Sequence, residues 1–337
     1  HAKQLYLLLI GLVAGMAGVS GCIDQGGQTG LQNAVLTIFV DDPGLVLDVQ
    51  DLAVKYRNET GKEITVISLS REKNGTGSFR GGDLLISDMT QIPEYAQAGQ
   101  LKNLNPYLDG GNTLNWTWFE RPPLLLAGEW PAHSGTIYAV PFSSDALGAL
   151  YREDLCSDPD AATAFCSTRG HEIGVPGTYE ELSALASFFH GRQEGLSGIA
   201  FAGLDGPDAR SSPWLSLVTS YGSAVTGKSD LGASGTWNSS KTVHALKMLQ
   251  NLSGYEPAGA DKWGDAEVAE AFGSGKAAIA ITWFSRFPEM ISRAEEKNLT
   301  VGFFPLPGEI VDGESYRGIT VRMDGIGIID GGSPDAA

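Results

Sequence analysis

Residues 34–69 read AVLTIFVDDPGLVLDVQDLAVKYRNETGKEITVISL. The first seven are apolar and β-rich, and they stop at Asp41-Asp42-Pro43-Gly44, a turn-forming quartet. From Leu45 the apolar spacing changes to about 3.6 residues, so that Leu45, Val49, Leu52, Ala53 and Tyr56 share one helical face. Gly61 closes that helix, and Ile64 to Leu69 form a second apolar run. Strand, helix, strand implies two parallel strands and an α/β fold.

The same alternation continues outward. Asp83 to Ser87 reads as a third strand and Ile92 to Ala98 as a helix. Tyr138 to Phe142 and Ala149 to Arg152 read as two separate strands. Thr178 caps a helix with an acidic first turn that runs to about His190. Gly198 to Ala202, Ala277 to Trp283 and Val301 to Phe304 are strand-like. Between them, Pro213 to Tyr221, Lys241 to Leu252, Glu267 to Gly273 and Arg286 to Lys297 read as helices. No internal repeat is present.

At 337 residues the chain exceeds one compact core, and two domains are expected. Hydrophobic residues make up 42% and charged residues 19%, which suits a packed protein rather than a disordered one. The formal net charge of −17 repels nucleic acids and anionic headgroups, so no nucleic-acid partner is expected. Lys3 precedes an apolar run from Leu5 to Val19 that is short for a membrane span, which needs about 20 residues, but suits an export signal. The run ends in Val19-Ser20-Gly21-Cys22, which resembles the lipobox of prokaryotic lipoproteins and implies lipidation at Cys22. A Gly/Gln-rich tether follows over 23–33. Cys156 and Cys166 flank a polar stretch that reads as a loop and short turn. In an exported chain such a pair suggests a disulfide. A metal site with nearby His171 is the alternative, but the three lack a zinc spacing, and neither metal nor cofactor is expected. Asn-x-Ser/Thr sequons at Asn58, Asn74, Asn115, Asn238, Asn251 and Asn298 favour a glycosylated cell surface.

The stretch GTIYAVPFSSD (135–145), running on to LYREDL (150–155), resembles extracellular solute-binding proteins of the maltose-binding type. Further pieces fall in that family's order: VPGTYEEL (175–182), FGSGKAAIAI (272–281) and FPLPG (304–308). The resemblance covers roughly residues 34–325. It implies a two-lobed periplasmic-binding-protein-like α/β fold, with residues 34–141 plus 319–337 as one lobe and 142–318 as the other. The ligand cleft would lie between lobes joined by hinge crossings near Pro141 and Gly318. It further implies a lipid-anchored, monomeric receptor on the outer face of the membrane. Such a receptor captures a sugar or oligosaccharide by hinge closure and delivers it to the permease subunits of an ABC transporter. Relatives usually carry a Gly-Gly run after P-L-P-G and continue through several more helices. This chain reads RGITVRMDGIG (317–327) there and stops at Ala337, so the family's C-terminal helices are expected to be missing.

Sugars present apolar CH faces and a rim of hydroxyls, which aromatic rings, carboxylates and guanidinium groups satisfy together. In α/β sheets such groups collect just past the strand ends. Strand ends and the resemblance together nominate Asp42 with Asp41, Asp88, Ser143 and Asp145. They also nominate Trp283, Phe284 and Arg286, Trp214 and Tyr221 on a helix, and Arg317. Trp283 occupies the position where relatives stack an aromatic ring on the ligand. Helix capping is the competing role for each aspartate, core packing for each tryptophan and a surface ion pair for Arg286. A polyamine or other polar small molecule is the alternative ligand, since acids and aromatic rings would serve it too. No enzyme is expected: the chain has no Gly-x-Ser-x-Gly elbow and no His-Glu-x-x-His, and its five histidines are scattered.

Overall fold

The computed structural model describes residues 35–69, 81–108, 128–131, 134–202, 211–224 and 236–330. The lipobox with Cys22, the tether, and the sequons at Asn74 and Asn115 lie outside the described residues. The chain divides into two compact units, residues 1–144 with 322–337, and residues 145–321. Among the described residues, no helix is long and apolar enough to cross a membrane.

The first unit opens with β1 (Leu36–Val40), α1 (Val46–Thr60), β2 (Ile64–Ser68) and β3 (Leu84–Asp88), followed by the short helices α2 (Ile92–Gln97) and α3 (Asn105–Leu108). Helix α1 buries Val49, Leu52, Ala53 and Tyr56, the face its spacing predicts. It ends at Gly61, whose φ of 72° closes the helix through a hydrogen bond from its N–H to the Arg57 carbonyl. Strand β1 lies between β2 and β3 and is parallel to both. Its period of two sends Ile38 and Val40 into one core and Phe39 into another.

The two strands expected at 138–142 and 149–152 are one, β4 (Val140–Arg152), which passes from the first unit into the second. Then come α4 (Glu153–Cys156), α5 (Pro159–Arg169), α6 (Tyr179–Phe189), β5 (Ala200–Phe201), α7 (Ser211–Ser220), α8 (Ser240–Ser253) and α9 (Asp265–Gly273). The unit continues with β6 (Ile279–Trp283), α10 (Phe287–Glu295), β7 (Val301–Pro305) and a hairpin of β8 (Glu309–Val311) and β9 (Glu314–Tyr316). The strand order is β7-β4-β6-β5. Helices cover both faces. Ile279 and Ile281 of β6 pack with α6, α7 and α8, while Ala280 packs with α9 and Met290 of α10. The chain then returns to the first unit as β10 (Val321–Ile328), antiparallel to β3, and completes the order β2-β1-β3-β10 there.

Two expectations are corrected. The stretch between the cysteines is not a loop but most of α5. Asp158 caps it, Pro159 takes its first position, and Gly170 ends it at φ 79°. The disulfide is not formed: Cys156 and Cys166 are both free. Helix α5 turns Ala161 and Phe165 inward, so Cys166, one position further round, is exposed. Cys156 packs against the core instead, and burial pushes its thiol up to about 12.

Candidate functional site

In the first unit the polar side chains gather where β1 and β3 end. Asp41 is buried; its Oδ2 accepts the Ser87 hydroxyl at 2.9 Å and the Tyr95 hydroxyl at 3.4 Å. Asp42 accepts the backbone N–H of Gly44 at 2.8 Å and forms an ion pair with Arg322. Asp88 caps the next turn, its Oδ1 accepting the Thr90 N–H at 2.8 Å. Both therefore perform the local capping that competes with ligand contact, and Asp42 holds a guanidinium in place as well. Ser143, at the end of the β4 portion in this unit, donates to Asp324 Oδ2 at 2.6 Å.

Asp324 was not foreseen. It lies opposite Asp88 in the β3–β10 register, and its Oδ1 is buried without a hydrogen-bond partner among the described residues. Burial raises its pKa; Ser143 and Arg322 oppose that rise, and Asp88 and Asp41 add to it. The structure thus brings Asp42, Asp88 and Ser143 together around Asp324 and Arg322.

In the second unit a corresponding group forms at the end of β6. Strand β4 pairs Leu147 with Trp283, which brings Asp145, two residues earlier, beside the turn after β6. Asp145 Oδ1 accepts the N–H of its neighbour Ala146 at 2.8 Å and that of Ser285 at 3.3 Å. On the other side Asp265, the first residue of α9, accepts the Thr282 hydroxyl at 3.4 Å. Burial raises the pKa of Asp265, the Arg286 charge opposes this, and Asp145 adds to it. Two carboxylates therefore bracket the turn that carries Trp283 and Arg286. Trp283 is half-buried against the core, and Arg286 is exposed. Phe284 folds over Gly148 of β4, where a Cβ would come within 2.0 Å of its ring.

Trp214 and Tyr221 are placed differently, in the helical layer of this unit. The Tyr221 ring belongs to the core, and its hydroxyl donates to Glu180 at 3.1 Å. Trp214 packs against that core with its ring 5.1 Å from the exposed Trp237. Its Nε1 is buried and lacks a hydrogen-bond partner among the described residues. Arg317 is exposed, ahead of β10. Among the described residues, no cluster of three or more His, Cys, Asp or Glu could hold a metal ion.

The family described as bacterial extracellular solute-binding protein matches residues 44–322. Among solved structures, an ABC transporter solute-binding protein from Agrobacterium radiobacter K84, in complex with ribitol, superposes with a TM-score of 0.68. The two are 21% identical, and the match covers 90% of this chain and 73% of that one. Maltose-bound MalE3 of T. maritima gives 0.66 at 20% identity, over 90% of this chain and 74% of that one. The GacH receptor of Streptomyces glaucescens GLA.O, studied unliganded and with acarbose, gives 0.65 at 18% identity, over 89% and 72%. No curated protein matches the chain. At these identities the likeness establishes the fold, the two-lobed α/β architecture of periplasmic binding proteins. These relatives are binding proteins.

Proposed function

Since the chain belongs to the family of bacterial extracellular solute-binding proteins, we propose that it captures a sugar or oligosaccharide outside the cell and delivers it to an ABC-type permease. The observation that carries this reading is the turn after β6, where Asp145 and Asp265 flank Trp283 and Arg286. An aromatic face beside mixed charges suits a polyhydroxylated ring, whose hydroxyls both donate and accept. Asp42, Asp88, Ser143 and Asp324 with Arg322 offer the same mixture in the first unit. A polyamine receptor would need carboxylates left free of cations, whereas each group here contains an arginine. The sugar- and polyol-bound relatives support the same choice. Trp214 remains in the proposed set as an outer aromatic contact, because its indole N–H is unpartnered among the described residues. Tyr221 belongs to the core against which Trp214 packs. The chain crosses between its units twice, in β4 and at the start of β10, and hinge closure is the mechanism these crossings would permit.

A thermal-unfolding screen against mono- and oligosaccharides, polyols and polyamines tests the reading. A ligand at 100 times its dissociation constant adds about 2.7 kcal/mol of apparent stability. Stabilisation by a saccharide or polyol is expected; stabilisation by spermidine alone would replace the ligand class.

Lipid anchoring at Cys22 and glycosylation belong to the same proposal. Asn58, Asn238 and Asn298 are exposed, whereas the Asn251 side chain donates to Ser183 at 2.8 Å. An intact-mass measurement on protein from its own membranes should show a lipid on a mature chain starting at Cys22 and hexose increments. An unmodified mass would reject both.

A further inference from the structure

Two aspartates face each other across the β3–β10 pair, and a neutral sugar gives no reason for the arrangement. Asp88 ends β3, and Asp324 lies directly opposite it in antiparallel register. The adjacent pair is hydrogen-bonded, the Met89 N–H donating to the Met323 carbonyl at 3.1 Å. Hydrogen-bonded and non-hydrogen-bonded pairs alternate along such a ladder, so Asp88 and Asp324 form a pair of the second kind. Its Cα atoms stand only about 4.5 Å apart, and its side chains leave the sheet on the same face. Like charges placed this way repel each other.

The neighbours of this pair do not neutralise it. Asp88 Oδ1 accepts the N–H and the hydroxyl of Thr90 at 2.8 and 2.5 Å, and its Oδ2 accepts no hydrogen bond among the described residues. Asp324 is only 3% exposed. Its Oδ2 accepts the Ser143 hydroxyl at 2.6 Å, which leaves Oδ1 buried without a partner among the described residues. A buried acceptor without a donor is costly, and more so when it is charged. Arg322 lends Asp324 some positive field but is ion-paired to Asp42. Burial raises the Asp324 pKa, and the charges of Asp88 and Asp41 add to the rise. A metal ion does not suit the place, because among the described residues no three His, Cys, Asp or Glu side chains gather to hold one. An ammonium group suits it: it carries one positive charge and three donors, enough to reach both carboxylates at once.

We propose that Asp88 and Asp324 together bind an ammonium group of the ligand, so that the captured saccharide is an amino sugar with a free amine. This deepens the capture reading and rests on it. Ser143 holds Asp324 by Oδ2 and leaves Oδ1 for the ligand. Asp88, only partly buried, opens the pair to solvent. A sugar hydroxyl in the same place would fill one hydrogen bond and leave the repulsion between the carboxylates unrelieved. An acetylated amine would offer a single N–H and no charge.

The test is titration calorimetry at slightly acidic pH, where the amine is charged. The probes are glucosamine, galactosamine, mannosamine and the glucosamine trimer of chitosan, each beside its N-acetylated and its hydroxyl counterpart. In at least one set the amine is expected to bind about 10- to 100-fold more tightly than both counterparts. Asparagine at position 88 keeps an acceptor for Thr90 and removes the charge. Asp88→Asn is therefore expected to weaken amine binding about 10-fold or more, and binding of the hydroxyl counterpart by less than that. Tightest binding by a neutral or acetylated saccharide, in these sets or in the thermal screen, overturns the ammonium site and leaves the capture reading standing. So does an amine preference that survives Asp88→Asn at full strength. Binding of no saccharide in either experiment overturns both.

Discussion

Replacing Trp283 with alanine should weaken saccharide binding by about 100- to 1,000-fold while leaving the melting temperature nearly unchanged. The ring follows the last buried residue of β6 and is only half-covered by the core. A sugar stacked on its remaining surface would bury on the order of 100 Å², worth about 2.5 kcal/mol, and stacking geometry adds about 0.5–1.5 kcal/mol. Ten-fold in affinity is about 1.4 kcal/mol, hence the predicted magnitude. Titration calorimetry with the saccharide that gives the largest thermal shift reads the affinity, and a melting curve on the same sample reads the packing. Unchanged affinity with a melting temperature lowered by several degrees would make Trp283 a core residue and remove it from the site.

The second large effect is expected at Gly318, in the return crossing. A Cβ there would stand 1.9 Å from the Thr219 hydroxyl and 2.5 Å from the Ser216 carbonyl. The threonine can rotate, but the carbonyl belongs to α7 and cannot yield without bending that helix. Gly318→Ala should therefore cost about 2–3 kcal/mol, a fall of roughly 4–12 °C in the melting temperature of a unit this size. It should also break the bonds to Ser216 and Ser220 that seat the crossing. Differential scanning calorimetry provides the check. A variant melting within about 1 °C of wild type would show that the crossing has room to shift.

Local signals made much of this legible from sequence. The period change at Leu45 marked β1 and α1, and Thr178 with its acidic first turn marked α6, where the structure shows a full capping box. Two further elements carried signals that went unread. Asp158-Pro159 is a cap followed by the residue favoured at a helix start, yet the polar composition of the stretch suggested a loop. Asp312-Gly313, at φ 55° and 84°, meets the demand of a tight hairpin turn for two left-handed residues. The candidate site was legible at Trp283, the end of β6, and at Asp145, read as following a strand although it lies within β4. Asp324 becomes significant through its antiparallel partner Asp88, and Asp265 through a hydroxyl 17 residues away. Neither relation leaves a periodic trace. Tyr221 shows the converse, an aromatic polar residue near a helix end whose hydroxyl is already used by Glu180.

Strand β4 also restricts how this chain can change length. Its early residues Val140 and Phe142 are set into the core of one unit, and from Leu147 onward it is in register with β6 and then β7 in the other. Both ends are thus indexed, with only Ser143 to Ala146 between them. A residue inserted or deleted there would turn one half of the strand inside out, because side chains alternate with a period of two. Descendants of this sequence should keep the number of residues there fixed, with any added residue confined to a bulge.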